Sequence, residues 1–204
     1  MTEQQIFRLR VTFKKQGRLA LLSHLEIARA LERAVRRAGL PFAVSQGYSP
    51  HMKIAFGAAL PVGVGGAAEL FDLQLTNYVA PDEALSALQA ASVEDLMVTS
   101  CEYIEPKAAA ASAAYPISTY RVCLSEPIGA LDVPEVIRVV RKKKEKELRV
   151  EDFLVGTIEH KGSIIEFALE SKPTGSLRPD VFMNACLKDS PAHIVSFERI
   201  TQRA

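Results

Sequence analysis

The sequence predicts an α+β chain of two tandem ferredoxin-like (βαββαβ) units. Three observations predict it. Strand-like alternation and helix-like periodicity follow one another in the order β-α-β-β-α-β over residues 6–104. The same order of signals recurs over residues 117–200. Between them lies "EPKAAAASAAYP", small, poor in core-forming residues and bounded by prolines, which reads as a linker or a wrapping segment. The division expected is therefore a first unit at 1–105, a linker at 106–114 and a second unit at 115–204. A length of 204 residues suits one large domain or two small ones.

Each element has a local reason. Phe7, Leu9, Val11 and Phe13 alternate with Arg8, Arg10 and Thr12, the period of a half-buried strand. Ser23 followed by Glu26 is a capping box, with Leu22 and Ile27 placed as a hydrophobic staple. Ile27, Leu31, Ala34, Val35 and Ala38 then share one helical face, and Gly39 stops the helix. "KIAF" and "ELFDLQL" read as strands, Pro81 and Asp82 open a second helix, and "LMVTSCEYI" closes the unit as a strand.

In the second half "ISTYRVCLS" reads as a strand. "DVPEVIRVVRKK" reads as a helix with Asp132 as its cap and Pro134 in its first turn. Two strands follow around a turn at His160, Lys161 and Gly162, then a helix at "RPDVFMNACLK" and a last strand at "HIVSFERI".

Composition excludes several classes. Lys plus Arg (25) nearly balance Asp plus Glu (24), so bulk charge names no partner. Three scattered cysteines, with no CxxC pair, argue against a disulfide framework or a zinc site, and no metal or cofactor is expected. The opening "MTEQQIFRLRVTF" does not read as a signal peptide, and no apolar run has the length of a membrane span. A cytoplasmic protein that does not enter a membrane is the expectation. There is no Walker loop, HExxH or GxSxG, so no catalytic constellation stands out.

Charge is unevenly placed. Residues 1–56 carry ten basic side chains against three acids, whereas residues 57–105 carry eight acids and neither Lys nor Arg. Arg29, Arg33, Arg36 and Arg37 are expected on the solvent side of the first helix, with Arg8 and Arg10 together on one face of the first strand. Such a surface either follows a phosphate backbone or is a solvated face with Glu32–Arg36 as an i,i+4 pair. "RKKKEKELR", residues 141–149, is a second basic cluster, expected at a helix end, with a basic hairpin as the alternative.

The least ordinary stretch is "SQGYSPHMK". Ser45, Gln46, Tyr48, Ser49, His51 and Lys53 crowd into nine positions punctuated by Gly47 and Pro50. A loop that only reverses the chain needs Gly, Pro and small polar residues. Here an aromatic ring, an amide, an imidazole and a cation suit stacking, edge recognition and phosphate pairing. The rival is that Gln46, Ser49 and His51 bond the loop's own backbone while Tyr48 packs into the core. The following "GAALPVGVGG" permits a close ligand approach but reads more simply as a wide hairpin connection.

With these motifs in view, the chain resembles the radical-SAM-linked protein family. The resemblance rests on "GRLALLSHLE", "RRAGLP", "SQGYSPHMKI" and "LPVGV", and falls on Gly17, Arg18, Ser23, His24, Ser45, Gln46, Gly47, Tyr48, Pro50, His51, Lys53, Pro61 and Gly63. It covers 7–75 closely and the remainder by element order. Members of that family are fused to, or encoded beside, a radical SAM protein; this chain lacks the radical SAM cysteines. The loop often carries Phe-Asn where Tyr48-Ser49 stands. The tandem order is also similar to CRISPR repeat RNA-processing endonucleases, but the glycine-rich loop before their last strand is "KDSPAH" here.

The resemblance and the charge pattern together imply a non-catalytic RNA-binding or substrate-presenting accessory protein. Its partners would be a separately encoded radical SAM protein and RNA, contacted through Arg18, Arg29, Arg33, Arg36, Gln46, Tyr48, His51 and Lys53. One alternative is an enzyme acting on RNA or a nucleotide through His24, His51 and Lys53. Another is a protein-binding module whose acidic stretch, residues 57–105, faces a basic partner.

Overall fold

Strand β1 (Phe7–Lys15) sits between two antiparallel neighbours, β3 (Gly65–Leu75) and β4 (Val98–Ile104), and β2 (Ile54–Phe56) lies on the far side of β3. The order β4-β1-β3-β2 places α1 (His24–Arg37) and α2 (Pro81–Ala91) against the sheet. Leu9, Val11 and Phe13 are buried with Phe71, Leu73 and Leu75 of β3, Ile27, Leu31 and Val35 of α1, and Ala84 and Leu88 of α2. The alternation in the sequence thus sets which strand face is covered. The computed structural model describes residues 6–141 and 144–204, so Lys142, Lys143 and the first five residues lie outside the described residues. The chain divides into two compact units, Met1–Ala114 and Tyr115–Ala204, and the fold is α+β.

Helix α1 begins as its sequence dictates. The Ser23 hydroxyl accepts the Glu26 N–H at 3.4 Å, and the Glu26 carboxylate accepts the Ser23 N–H at 2.8 Å. Gly39 follows the last turn at φ +68°, a conformation that costs a residue with a Cβ.

The segment at 106–114, expected as a linker, is part of the first unit. The carbonyls of Ala108 and Ala109 accept hydrogen bonds from Arg8 and Arg10, and the short helix α3 (Ala111–Ala114) buries Ala111.

In the second unit β5 (Ile117–Leu124) pairs antiparallel with β10 (Ile194–Arg203) and with β9 (Ile164–Glu170), and β9 pairs with β8 (Leu154–Lys161). The order is β10-β5-β9-β8. Helix α4 (Pro179–Cys186) packs Phe182 onto Phe167, ring centroids 4.9 Å apart. The β8–β9 hairpin turns at Gly162, φ +64°, with Lys161 opposite Ile164.

Among the described residues, the helix expected over "DVPEVIRVVRKK" is absent, with its last two positions, Lys142 and Lys143, outside them; this corrects the reading of two complete βαββαβ units. In its place β6 (Val136–Arg141) and β7 (Lys144–Arg149) form a separate two-stranded antiparallel sheet. The physical reason is composition. Val136, Ile137, Val139 and Val140 are β-branched, stiff at χ1 and better fitted to a pleated strand. Ile137 lies opposite Leu148, both buried, and Arg138 pairs with Glu147 across the strands at 2.9 Å.

Candidate nucleic-acid interface

On α1 the predicted arginines take the outer face. Arg29, Arg33, Arg36 and Arg37 are exposed, opposite Ile27, Leu31, Ala34 and Val35. At about 100° per residue, Arg29, Arg33 and Arg36 fall within about 60° of one another around the axis. Arg33 has no ion pair or hydrogen bond among the described residues, and Arg29 helps hold the Glu26 carboxyl below its ordinary value, after the larger effect of the Ser23 hydrogen bonds. Arg36 does not pair with Glu32. Its guanidinium sits over the Phe42 ring, 5.0 Å from the centroid, a cation–π contact. Arg37 donates to the Ala91 carbonyl, which ties α1 to α2. Arg18 is exposed on the 3-10 turn Gly17–Leu21.

The basic face expected on β1 is a correction. Arg8 and Arg10 point to the side of the sheet where Asp72 lies. The Asp72 carboxylate accepts Arg10 Nε at 2.7 Å, Arg10 Nη2 at 3.0 Å and Arg8 Nη2 at 2.8 Å. Arg10 is 5 % exposed and Asp72 2 %. These charges hold the sheet and the 106–114 segment together; they are not presented to a polyanion. Two of the eight acids in the stretch 57–105, Glu69 and Asp72, are likewise buried, which thins the acidic surface expected there.

The loop at 45–53 is closed at its neck by its own backbone. The Ser45 N–H donates to the His51 carbonyl at 2.8 Å, and the Ser45 hydroxyl accepts the His51 N–H at 3.0 Å. Below it Val44 bridges Met52, the Lys53 N–H donates to the Ala43 carbonyl, and the Lys53 carbonyl accepts the Gln74 N–H. Gly47 takes φ +128°, which favours glycine at the bend. Above this neck the side chains of Gln46, Ser49 and His51 are exposed and make no hydrogen bond among the described residues, nor does the half-buried Lys53. The Tyr48 ring stands wholly in solvent at 110 % relative exposure, so it does not pack into the core.

His24 lies elsewhere. It starts α1 and packs edge-on against Phe56, centroids 5.5 Å apart. It lines a cavity with Phe13, Lys15, Glu69 and residues 57–60, and neither His51 nor Lys53 contributes to that cavity. No hydrogen bond joins any two of His24, His51 and Lys53 among the described residues. The cavity has about 20 Å³ of free volume, the room of one water and not of a nucleotide.

Lys15 and Glu69 were not singled out from the sequence. They are 2 % and 6 % exposed. Lys15 Nζ donates to the Val64 carbonyl at 3.1 Å, which fixes the glycine-rich connection from β2 to β3. The Glu69 side chain folds over Gly66, where an added Cβ would stand 2.4 Å from Oε1. A signal for both was present. Lys15 continues the inward series Leu9, Val11, Phe13, and Glu69 continues Leu75, Leu73, Phe71, so each is a charged residue at an inward position.

Burial raises the Cys101 thiol to about 11, and burial followed by the Asp132 carboxylate raises Cys186 to about 12. Both behave as packing groups rather than nucleophiles. Among the described residues, no cluster of His, Cys, Asp or Glu could hold a metal ion, and no helix is long and apolar enough to cross a membrane.

The arrangement therefore offers a row of arginines, a loop closed at its neck with an outward ring, and at His24 a cavity of about 20 Å³. None of the curated proteins matches the chain. A family model described as an uncharacterized protein conserved in bacteria, DUF2344, matches residues 8–179, and with most of its length inside that match the chain belongs to this family.

Proposed function

We propose that the protein is a non-catalytic accessory that binds RNA or presents a substrate, working with a separately encoded radical SAM protein. The radical SAM partner rests on the sequence resemblance alone. We read β4-β1-β3-β2 as a ferredoxin-like unit and β10-β5-β9-β8 as a variant in which a hairpin replaces the first helix. The observation that carries the reading is the outer face of α1, where Arg29, Arg33 and Arg36 share one side of a helix and no carboxylate forms an ion pair with any of them among the described residues. A row of cations on a rigid helix suits a chain of phosphates.

The test is electrophoretic mobility of RNA over a range of salt. The parent should shift RNA at low salt. Replacing Arg29, Arg33 and Arg36 together by Ala should weaken binding and flatten the log–log salt slope by about 2, from three lost phosphate contacts at about 0.7 each on single strands. No shift at any salt overturns the nucleic-acid reading.

A second reading, docking of a protein, is favoured by one observation. Leu21, Leu25 and Val62 are exposed at the start of α1 and the adjoining connection, where the Gly63 N–H donates to the Ala20 carbonyl. Co-purification of a protein partner that resists nuclease treatment would support it over RNA.

A further inference from the structure

We infer that the nucleic acid this protein takes is single-stranded, with one unpaired base stacked on Tyr48 and phosphates farther along the same strand on the outer face of α1; this rests on the nucleic-acid reading above and narrows it. An aromatic ring in the open offers a face to any flat partner, but a base inside a duplex has both faces already covered by its neighbours. Only an unpaired base is free to take the ring. The distribution of hydrogen bonds in the loop fits that use. The Ser45 N–H and hydroxyl bond the His51 carbonyl and N–H at the neck, so the neck closes without the loop's longer side chains. The side chains of Gln46 and His51, on either side of Tyr48 in sequence, make no hydrogen bond among the described residues. These are groups suited to the edge of a splayed-out base.

The loop and the arginines are also joined. Arg36 sits on Phe42, and Phe42 leads directly into the loop. Six chain steps lead from Phe42 to Tyr48, a reach of at most about 20–22 Å. Stacked nucleotides advance about 3.4 Å each along a strand, so about six of them span that reach. One short strand is enough to meet both features.

The experiment measures fluorescence anisotropy with three labelled probes of equal length. They are a 12-nucleotide RNA of mixed sequence, the same strand annealed to its complement, and a 12-unit abasic sugar–phosphate strand. The single strand should bind at least tenfold more tightly than the other two. Tyr48→Ala should lower its affinity by about 5- to 150-fold, the range for one lost base stack. Tyr48→Phe should retain it, and the duplex and abasic probes should not respond to either change. Circular dichroism of Tyr48→Ala should match the parent, since the ring touches nothing that folding requires. If the three probes bind equally and Tyr48→Ala changes none of them, contact is through phosphate alone and this inference is overturned while RNA binding stands. If none of the probes binds, the nucleic-acid reading fails and this inference falls with it.

Discussion

Asp72 on β3 lies directly opposite Arg10 on β1, and its carboxylate accepts both Nε and Nη2 of that arginine as well as Nη2 of Arg8. One carboxylate thus answers two guanidinium groups in a place nearly closed to water. Removing one partner of a buried ion pair leaves the others charged and desolvated. Asp72→Ala should therefore cost about 3–5 kcal/mol in urea unfolding. A loss below about 1 kcal/mol would mean that water reaches the two arginines and replaces the carboxylate.

The capping box at the start of α1 makes a smaller contribution with a recognisable pH signature. Ser23→Ala should lower stability by about 0.5–2 kcal/mol. The Ser23 hydrogen bonds hold the Glu26 carboxyl below its ordinary 4.5 in the folded chain. A lowered folded value contributes stability above pH 4.5 that is lost as pH falls through the folded value. The parent should lose that contribution on acidification, and Ser23→Ala, which keeps the backbone N–H and Arg29 but not the hydroxyl, should show a smaller one. Parallel pH profiles for the two proteins would contradict the box.

Gly66→Ala tests the packing of Glu69. The new methyl would meet Glu69 at Oε1, Cγ and Cδ, all within 2.7 Å, and the side chain is buried with little room to retreat. A loss of about 1–3 kcal/mol is expected from such overpacking. The double variant Gly66→Ala with Glu69→Ala should not show the same clash; an unchanged midpoint in the single variant would show that Glu69 moves aside freely.

Thiol chemistry gives a further check. With Cys101 raised to about 11 and Cys186 to about 12, neither carries appreciable thiolate near neutrality. Iodoacetamide at pH 8 should alkylate both slowly in the folded protein and quickly in denaturant, as read by peptide mass. As pH rises from 9 toward 11 the unfolded thiols ionise before the folded ones, so their contribution to stability falls with rising pH in that window. Rapid native alkylation at Cys186 would contradict its burial.

Tyr48→Ala combined with Lys53→Ala should leave the thermal midpoint nearly unchanged and abolish binding to the RNA or partner recovered from cells. Unfolding several degrees earlier, or binding equal to the parent, would make the loop structural.

What the sequence made legible was local. The Ser23–Glu26 box, the Gly39 stop and the apolar face of α1 depend on residues three or four apart, and each appears where its pattern places it. The arginines of β1 were misread because their partner lies 62 to 64 positions away, and strand alternation says which face a residue takes but not what waits there. The β6–β7 hairpin was misread because Val133, Ile137 and Val140 also fit a helical period. The β-branched run at 136–140 was the better guide. For the loop at 45–53 the choice between a solvent-facing and a core-facing Tyr48 depended on the Ser45–His51 neck, which no residue spacing reveals. Lys15 and Glu69 were legible in principle, each a charge at the end of an inward-facing series.

The hydrogen bonds from Arg8 and Arg10 to Ala108 and Ala109 carry a consequence for biosynthesis. Two residues of the first strand wait for almost the last residues of the first unit. Until synthesis has passed residue 109, two guanidinium groups near the N-terminus lack carbonyls that the finished unit supplies. A nascent chain ending at 105 holds every strand and both long helices of that unit, yet remains open on one side of its sheet. The small alanine-rich stretch acts as a closing stitch, made late, and the first unit reaches full stability only when Ala114 has been added.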